Sequence, residues 1–374
     1  MLDLSPKRNL GTPGPAGFRY LSFAWKYVMR IGIVFHKNAF APPSGIDLVR
    51  LRAISLGLIR KGVEAEIIAP VQTEGTIEGV IPVRKLHVLN SPNQYDLVKT
   101  CYHDSIMLIR GYQGPVISRI VRVVDQKLPE RDDAAREKLL HCQEMIKKRA
   151  VALVLNNKEN EDRWRDLYGD EPQIILVPTG CPAEIPKPHR NPFQPGEQAI
   201  LFLGSVASPR MVRMLNEAAR NIADFGRIHL IGLNKAGMYG GDEDCRLDPI
   251  IVDHGELSEA AIWDYIQHAR IGLALATGPY PFDNDVSKIF NYLRGGLPVL
   301  SEEQIVNNYL IRQTGLGRIF RFDDMNDLTV QAKALIMGPV PTDKRVVMRF
   351  MAEEHSWDKR VETYLELFRA ILHN

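Results

Sequence analysis

One lysine sits where a short helix has its positive end. The stretch Asp285-Val286-Ser287-Lys288-Ile289-Phe290-Asn291-Tyr292-Leu293-Arg294-Gly295-Gly296-Leu297-Pro298-Val299-Leu300 reads as a loop, a short helix, a Gly-Gly stop and a buried strand. Lys288 and Asn291 are three apart and share a helical face, while Ile289, Phe290 and Leu293 dock the opposite side. A cation in the first turn opposes the helix dipole unless an anion joins it. Ser287, Lys288 and the adjacent amides therefore spell an anion site, of a kind that suits a diphosphate.

Other residues could serve the same chemistry. Gly204-Ser205 ends an apolar strand before a helix and could offer backbone N–H groups to phosphate. Gly255-Glu256 follows another strand; the glycine admits a flat ligand close to the backbone, and the carboxylate can accept from ribose hydroxyls. Asp125 follows the β-branched run Ile120-Val121-Arg122-Val123-Val124, read as a strand, and is the candidate general base for an acceptor hydroxyl. Arg110 and Tyr112 follow a second such run, 105–109, and His36 with Lys37 follows the first strand; these are acceptor-side candidates. His254 has no partner at catalytic spacing and is read as structural.

The elements that must position these residues alternate. Strands are expected at 30–35, 63–69, 82–88, 105–109, 120–124, 151–155 and 173–177, with helices near 45–60 and 130–149. After a proline-rich break the alternation restarts: strands at 199–203, 228–232, 250–252 and 271–275, helices near 208–222 and 259–269. Such alternation predicts parallel sheets covered by helices on both faces, with ligands beyond the strands' carboxyl ends. The expected division is a leader over 1–28, a first Rossmann-like domain over 29–180, a linker over 181–198, a second Rossmann-like domain over 199–355 and a final helix over 356–374.

Bulk properties exclude several classes. The chain has 374 residues, enough for two domains, and a net charge of +2, which gives no nucleic-acid footprint. Cys101, Cys142, Cys181 and Cys245 are scattered without C-x-x-C spacing, which fits a reducing cytosol and excludes a zinc ribbon or disulfide scaffold. No apolar run of about 18 residues predicts a membrane span. The leader, rich in Pro and Gly before Phe18, reads as a disordered tail or as sequence ahead of a true start at Met29. Its aromatic and basic part, Phe18 to Val28, would also suit a membrane interface. The first strand is followed by no G-x-G-x-x-G, which excludes a nicotinamide dehydrogenase.

Ser287-Lys288-Ile289-Phe290-Asn291-Tyr292-Leu293 with Gly296-Leu297-Pro298-Val299 resembles the signature of the GT-B glycosyltransferases. Gly204-Ser205, Gly255-Glu256, Tyr265 to Gly272 and Ser356-Trp357-Asp358-Lys359-Arg360 add to the resemblance. It implies two Rossmann-like, doubly wound α/β domains facing a central cleft, the first binding the acceptor, the second a nucleoside-diphosphate-sugar donor, UDP-linked, with the helix over 356–374 crossing back to the first domain, and no metal or other cofactor. The implied acceptor is a hydroxyl of a glycan or lipid-linked molecule. The implied location is the cytoplasm or the inner face of its membrane. Residues 255–299 are similar to the inverting glucuronosyltransferase of xanthan assembly, which implies Glu256 at the nucleoside, Lys288 at the diphosphate and Asp125 as base. The retaining family 4 enzymes carry two glutamates eight positions apart; here Asp283 and Asn291 stand in their places. Of family 4's basic residue after the Gly-Ser turn, the chain offers Arg210. The other classes this layout could serve are a nucleotide-sugar 2-epimerase and a non-catalytic sugar-nucleotide-binding protein.

Overall fold

The computed structural model describes residues 28–41, 45–126, 133–238, 245–339 and 342–373, without the side chains of Met238 and Asp283. The leader reading, save Val28, lies outside them.

The first sheet has eight strands: β1 (Arg30–Phe35), β2 (Glu64–Ile68), β3 (Gly75–Ile77), β4 (Ile81–Arg84), β5 (Leu97–Cys101), β6 (Val116–Arg119), β7 (Ala152–Leu155) and β8 (Gln173–Leu176). Their spatial order is β3-β4-β2-β1-β5-β6-β7-β8, parallel throughout except for the β3–β4 pair. The second sheet is wholly parallel: β9 (Ala199–Leu203), β10 (Arg227–Ile231), β11 (Val252–Asp253), β12 (Ile271–Ala274), β13 (Val299–Glu302) and β14 (Gly317–Phe320), in the order β11-β10-β9-β12-β13-β14. Parallel strands buried on both faces need apolar residues of both parities. β9 shows this: Leu201 and Leu203 pack into one core, Ile200 and Phe202 into the core on the other face.

The helices are α1 (Ile46–Arg60), α2 (Asp133–Arg149), α3 (Lys158–Tyr168), α4 (Pro209–Ile222), α5 (Glu259–His268), α6 (Lys288–Arg294), α7 (Asn308–Thr314), α8 (Met325–Met337), α9 (Lys344–Glu354) and α10 (Trp357–Leu372). Ser208, Ser258 and Ser356 cap α4, α5 and α10 by accepting from the backbone N–H three residues on. α10 lies against α1 in the first sheet's core, with Val361, Tyr364, Leu365 and Phe368 buried there. The fit is close enough that a Cβ on Gly57 would come within 2.5 Å of Val361. Among the described residues no helix is long and apolar enough to cross a membrane.

Two strand expectations are overturned. The run 105–109 is not a strand: His103–Leu108 is a 3-10 helix, started by Tyr102 at φ 67°. The true strand is the less apolar Leu97–Cys101, which buries Lys99. Nor is 120–124 a strand; β6 ends at Arg119. The β-branched run beyond it is held instead by side chains, with Val123 N donating to Asn160 Oδ1 (2.7 Å) and Val124 N to Gln143 Oε1 (2.7 Å). Local β propensity lost to tertiary hydrogen bonding there.

Candidate active site in the interdomain cleft

A cavity of ≈460 Å³ opens between the two sheets. It lies where the second sheet's order reverses, between β9 and β12, with Leu203 and Gly204 on one side and Leu275 and Thr277 on the other. Doubly wound sheets bind ligands at such points. The first half of the chain contributes Gly45, Ile46 and Val49, and Trp357 closes the rim from the start of α10.

The backbone of the floor is tied across three strand ends. Gly204 N donates to Ile231 O (2.8 Å), Gly232 N to Gly255 O (2.8 Å), and Gly255 N to Asp253 Oδ1 (2.9 Å). Gly204, Gly232 and Gly255 have φ of 95°, 145° and 64°. A Cβ on Gly232 would stand 2.3 Å from Gly204 O, so only glycine permits this approach. The sequence reading passed over Gly232 as the end of a strand.

Lys288 opens α6, and Tyr292 fixes where that helix sits. The buried Tyr292 hydroxyl donates to Leu201 O (2.9 Å) and accepts from Leu203 N (2.9 Å). Its ring fills the space above Gly272, where a Cβ would meet it at 2.5 Å. Lys288, four residues earlier, is thereby laid along the end of β9. Its Nζ lies 3.7 Å from the centroid of the Phe202 ring, and Cε lies 3.9 Å from where a Gly204 Cβ would be. Lys288 has no hydrogen bond or ion pair among the described residues. Burial pushes its pKa down to about 7. A cation so placed gains most from an incoming anion.

Gly204, Ser205, Glu256, Ser287, Lys288 and Asn291 all line this cavity, and Gly255 supports its floor. Asp285 also lines it and joins the two halves. It accepts from Asn156 at the end of β7, from Thr179 (3.5 Å), and from Asn307 Nδ2 (2.6 Å). Asp283-Asn284-Asp285 has the D-x-D spacing of metal motifs, but amide donors already engage both Asp285 oxygens. Arg210 is committed elsewhere: it pairs with the wholly buried Glu302 and donates to Ala276 O (2.8 Å). His254 is stacked on His229, whose Nε2 is 2.9 Å from Glu197.

The acceptor-side candidates do not gather with this set. Asp125 lies six positions beyond β6, ion-paired with Arg163, whose guanidinium covers the Phe282 ring at 4.2 Å. That places it at the seam between the halves, not on the cavity wall. Tyr112 is buried at the amino ends of the strands, its hydroxyl donating to Tyr95 O (3.3 Å) and its carbonyl accepting from Arg149. Arg110 is exposed on the loop leading to β6. The reading of both as acceptor-side candidates rested on the strand at 105–109 and falls with it. His36 does follow β1, facing Asp104 (3.9 Å) beside the Tyr102 ring; burial, then Lys37, lowers its pKa.

No family model and no curated protein matches the chain. Solved structures do. Sucrose-phosphate synthase from Thermosynechococcus elongatus superposes with a TM-score of 0.70 at 13% identity, covering 92% of this chain and 99% of that one. HepE from Anabaena, solved with UDP-glucose, gives 0.70 at 12%, covering 91% and 100%. WaaG, a glycosyltransferase of lipopolysaccharide biosynthesis, gives 0.60 at 12%, covering 90% and 99%. At these identities the likeness speaks for the fold: the chain has the GT-B architecture, two Rossmann-like domains facing a central cleft.

Proposed function

We infer that this protein is a glycosyltransferase that moves a sugar from a nucleoside-diphosphate donor, UDP-linked, to a hydroxyl of a glycan or lipid-linked acceptor. The observation that carries this is the unpaired Lys288 ammonium, held against the Gly204-Ser205 turn inside the cleft. Glu256 is proposed for the ribose hydroxyls and Asn291 and Ser287 for the sugar-diphosphate end. In the transfer the acceptor oxygen bonds to the anomeric carbon as the bond from that carbon to the diphosphate oxygen breaks. Lys288 then meets the charge that develops on the leaving group. That HepE was solved with UDP-glucose supports a UDP-linked donor.

The test is a thermal-shift panel of UDP, GDP and ADP. A binding diphosphate at 100 times its Kd stabilises by about 2.7 kcal/mol, so UDP raises Tm by several degrees and the other two do not. No response to any of the three overturns the reading. An epimerase would need several acid–base groups converging on the sugar; the ionisable groups among the described residues that line the cavity, Glu256, Glu259, Asp285 and Lys288, include no histidine. Incubation with UDP-sugar alone is expected to yield no epimer.

Asp125 is the proposed base of an inverting reaction, which requires its ion pair with Arg163 to open when the acceptor binds. Asp125→Asn is then expected to lower kcat at least about 100-fold with donor KM unchanged. Arg163→Met, which removes that ion pair, should keep most of the activity. Equal, small losses in both variants would make the pair a structural tie of the seam.

A further inference from the structure

The first domain buries three cations beneath the cleft with too little negative charge to match them. Arg119 ends β6 and is 1% exposed, Lys99 in β5 is 2% exposed, and Arg50 in α1 is 8% exposed. With Asp47, Cys101 and Tyr102 they line a small closed cavity of ≈10 Å³ at the carboxyl ends of β5 and β6. Neither Nη1 nor Nη2 of Arg119 has a hydrogen-bond partner. Among the described residues Lys99 Nζ meets Cys101 Sγ at 3.2 Å and the Tyr364 ring, whose centroid is 5.0 Å away. Arg50 bonds neutral oxygens, Thr179 Oγ1 (2.9 Å) and Tyr102 OH (3.4 Å). Among the described residues that line the cavity the carboxylate is Asp47, which already accepts from Tyr102 OH and faces Lys37 at 3.6 Å; Asp285 reaches Arg50 from the cleft side through Thr179.

A buried guanidinium with two idle nitrogens is costly unless something accepts from it. Burial and then the neighbouring Arg119 push Arg50 below the usual guanidinium range, and Tyr102 and the Asp285 carboxylate offset this only in part. The cavity has room for about one water-sized species. A water would satisfy donors but leave the excess charge in place. A monatomic anion would do both, because each of the three side chains is a charge-assisted donor and none is an acceptor.

We propose that Arg119, Arg50 and Lys99 form a buried binding site for a single halide ion, chloride under ordinary conditions, inside the first domain. The site is separate from the donor cavity and does not rest on the transferase reading. Arg50, Thr179 and Asp285 link it to the cleft.

The direct test is anomalous scattering from crystals of the full chain grown or soaked in bromide. A peak within hydrogen-bonding distance of the Arg119 terminal nitrogens is expected. Density there without anomalous signal means water and overturns the proposal, as does no density at all. A solution test compares thermal unfolding in sodium chloride and in sodium gluconate at equal ionic strength. Gluconate is too large for the cavity, so Tm should be higher in chloride by about 2 °C or more, saturating as one site. Arg119→Met should lose that difference. A variant that keeps it would move the chloride effect elsewhere. Should Arg119→Met not fold, the bromide experiment on the native chain still decides.

Discussion

Lys288→Ala lowers kcat for sugar transfer at least about 100-fold and weakens UDP binding, while the protein stays folded. The magnitude is that of removing one preorganised charge from a site where the leaving group's charge develops. The fold survives because Lys288 supports nothing: its contact is the face of Phe202, and the placement of α6 belongs to Tyr292. Stability should even rise near neutral pH. The folded-state pKa of about 7 lies below the ordinary 10.5, so the unfolded chain binds more protons between those values. The cost of burying the ammonium is therefore full below pH 7 and disappears as pH rises toward 10.5. Melting curves at pH 7 and pH 10 should show the variant the more stable at pH 7 and the gap closing at pH 10. A folded variant with undiminished turnover would remove Lys288 from the chemistry.

UDP affinity falls steeply with pH between 7 and 9. Without ligand, Lys288 loses its proton as pH passes about 7; with a diphosphate beside it, the charged form is favoured again. Binding above pH 7 must then take up a proton, and affinity drops by up to about tenfold per pH unit. The diphosphate's own protonation, with a pKa of about 6 for a phosphate monoester, lies below this window. Calorimetric titration in two buffers of different ionisation enthalpy reads the uptake directly. Lys288→Arg, which keeps its charge throughout, should bind with a flat profile over the same range. A flat profile for the native chain would mean that the diphosphate does not touch this amine.

The second domain was the more legible half, for a reason visible in its residues. Its strands, such as Ala199–Leu203 and Ile271–Ala274, are uninterrupted apolar runs ended by glycine or loop residues. Gly204 and the Gly255-Glu256 turn stand within three residues of strand ends, and Lys288 opens the helix after the loop that follows β12. The first domain is less regular. Its strand Leu97–Cys101 carries a lysine and a threonine in the core, whereas the more apolar 105–109 and 120–124 are not strands. Every assignment that leaned on those runs, Arg110 and Tyr112 above all, moved with them.

The sequence by itself determined that two parallel α/β units follow one another, and that a lysine stands at the head of a short helix that leads into a strand of the second. Periodicity and local stop signals suffice for that, because they act within a few residues. Only the tertiary structure decided that Lys288 has no ion pair among the described residues, that Gly232 must be glycine, and that Asp285 joins both halves of the chain. It also decided that Asp125 faces Arg163, and that three cations lie together under the first domain's floor. Each of these depends on contacts between residues distant in sequence, and burial and pairing, which set charge, are properties of the packed whole.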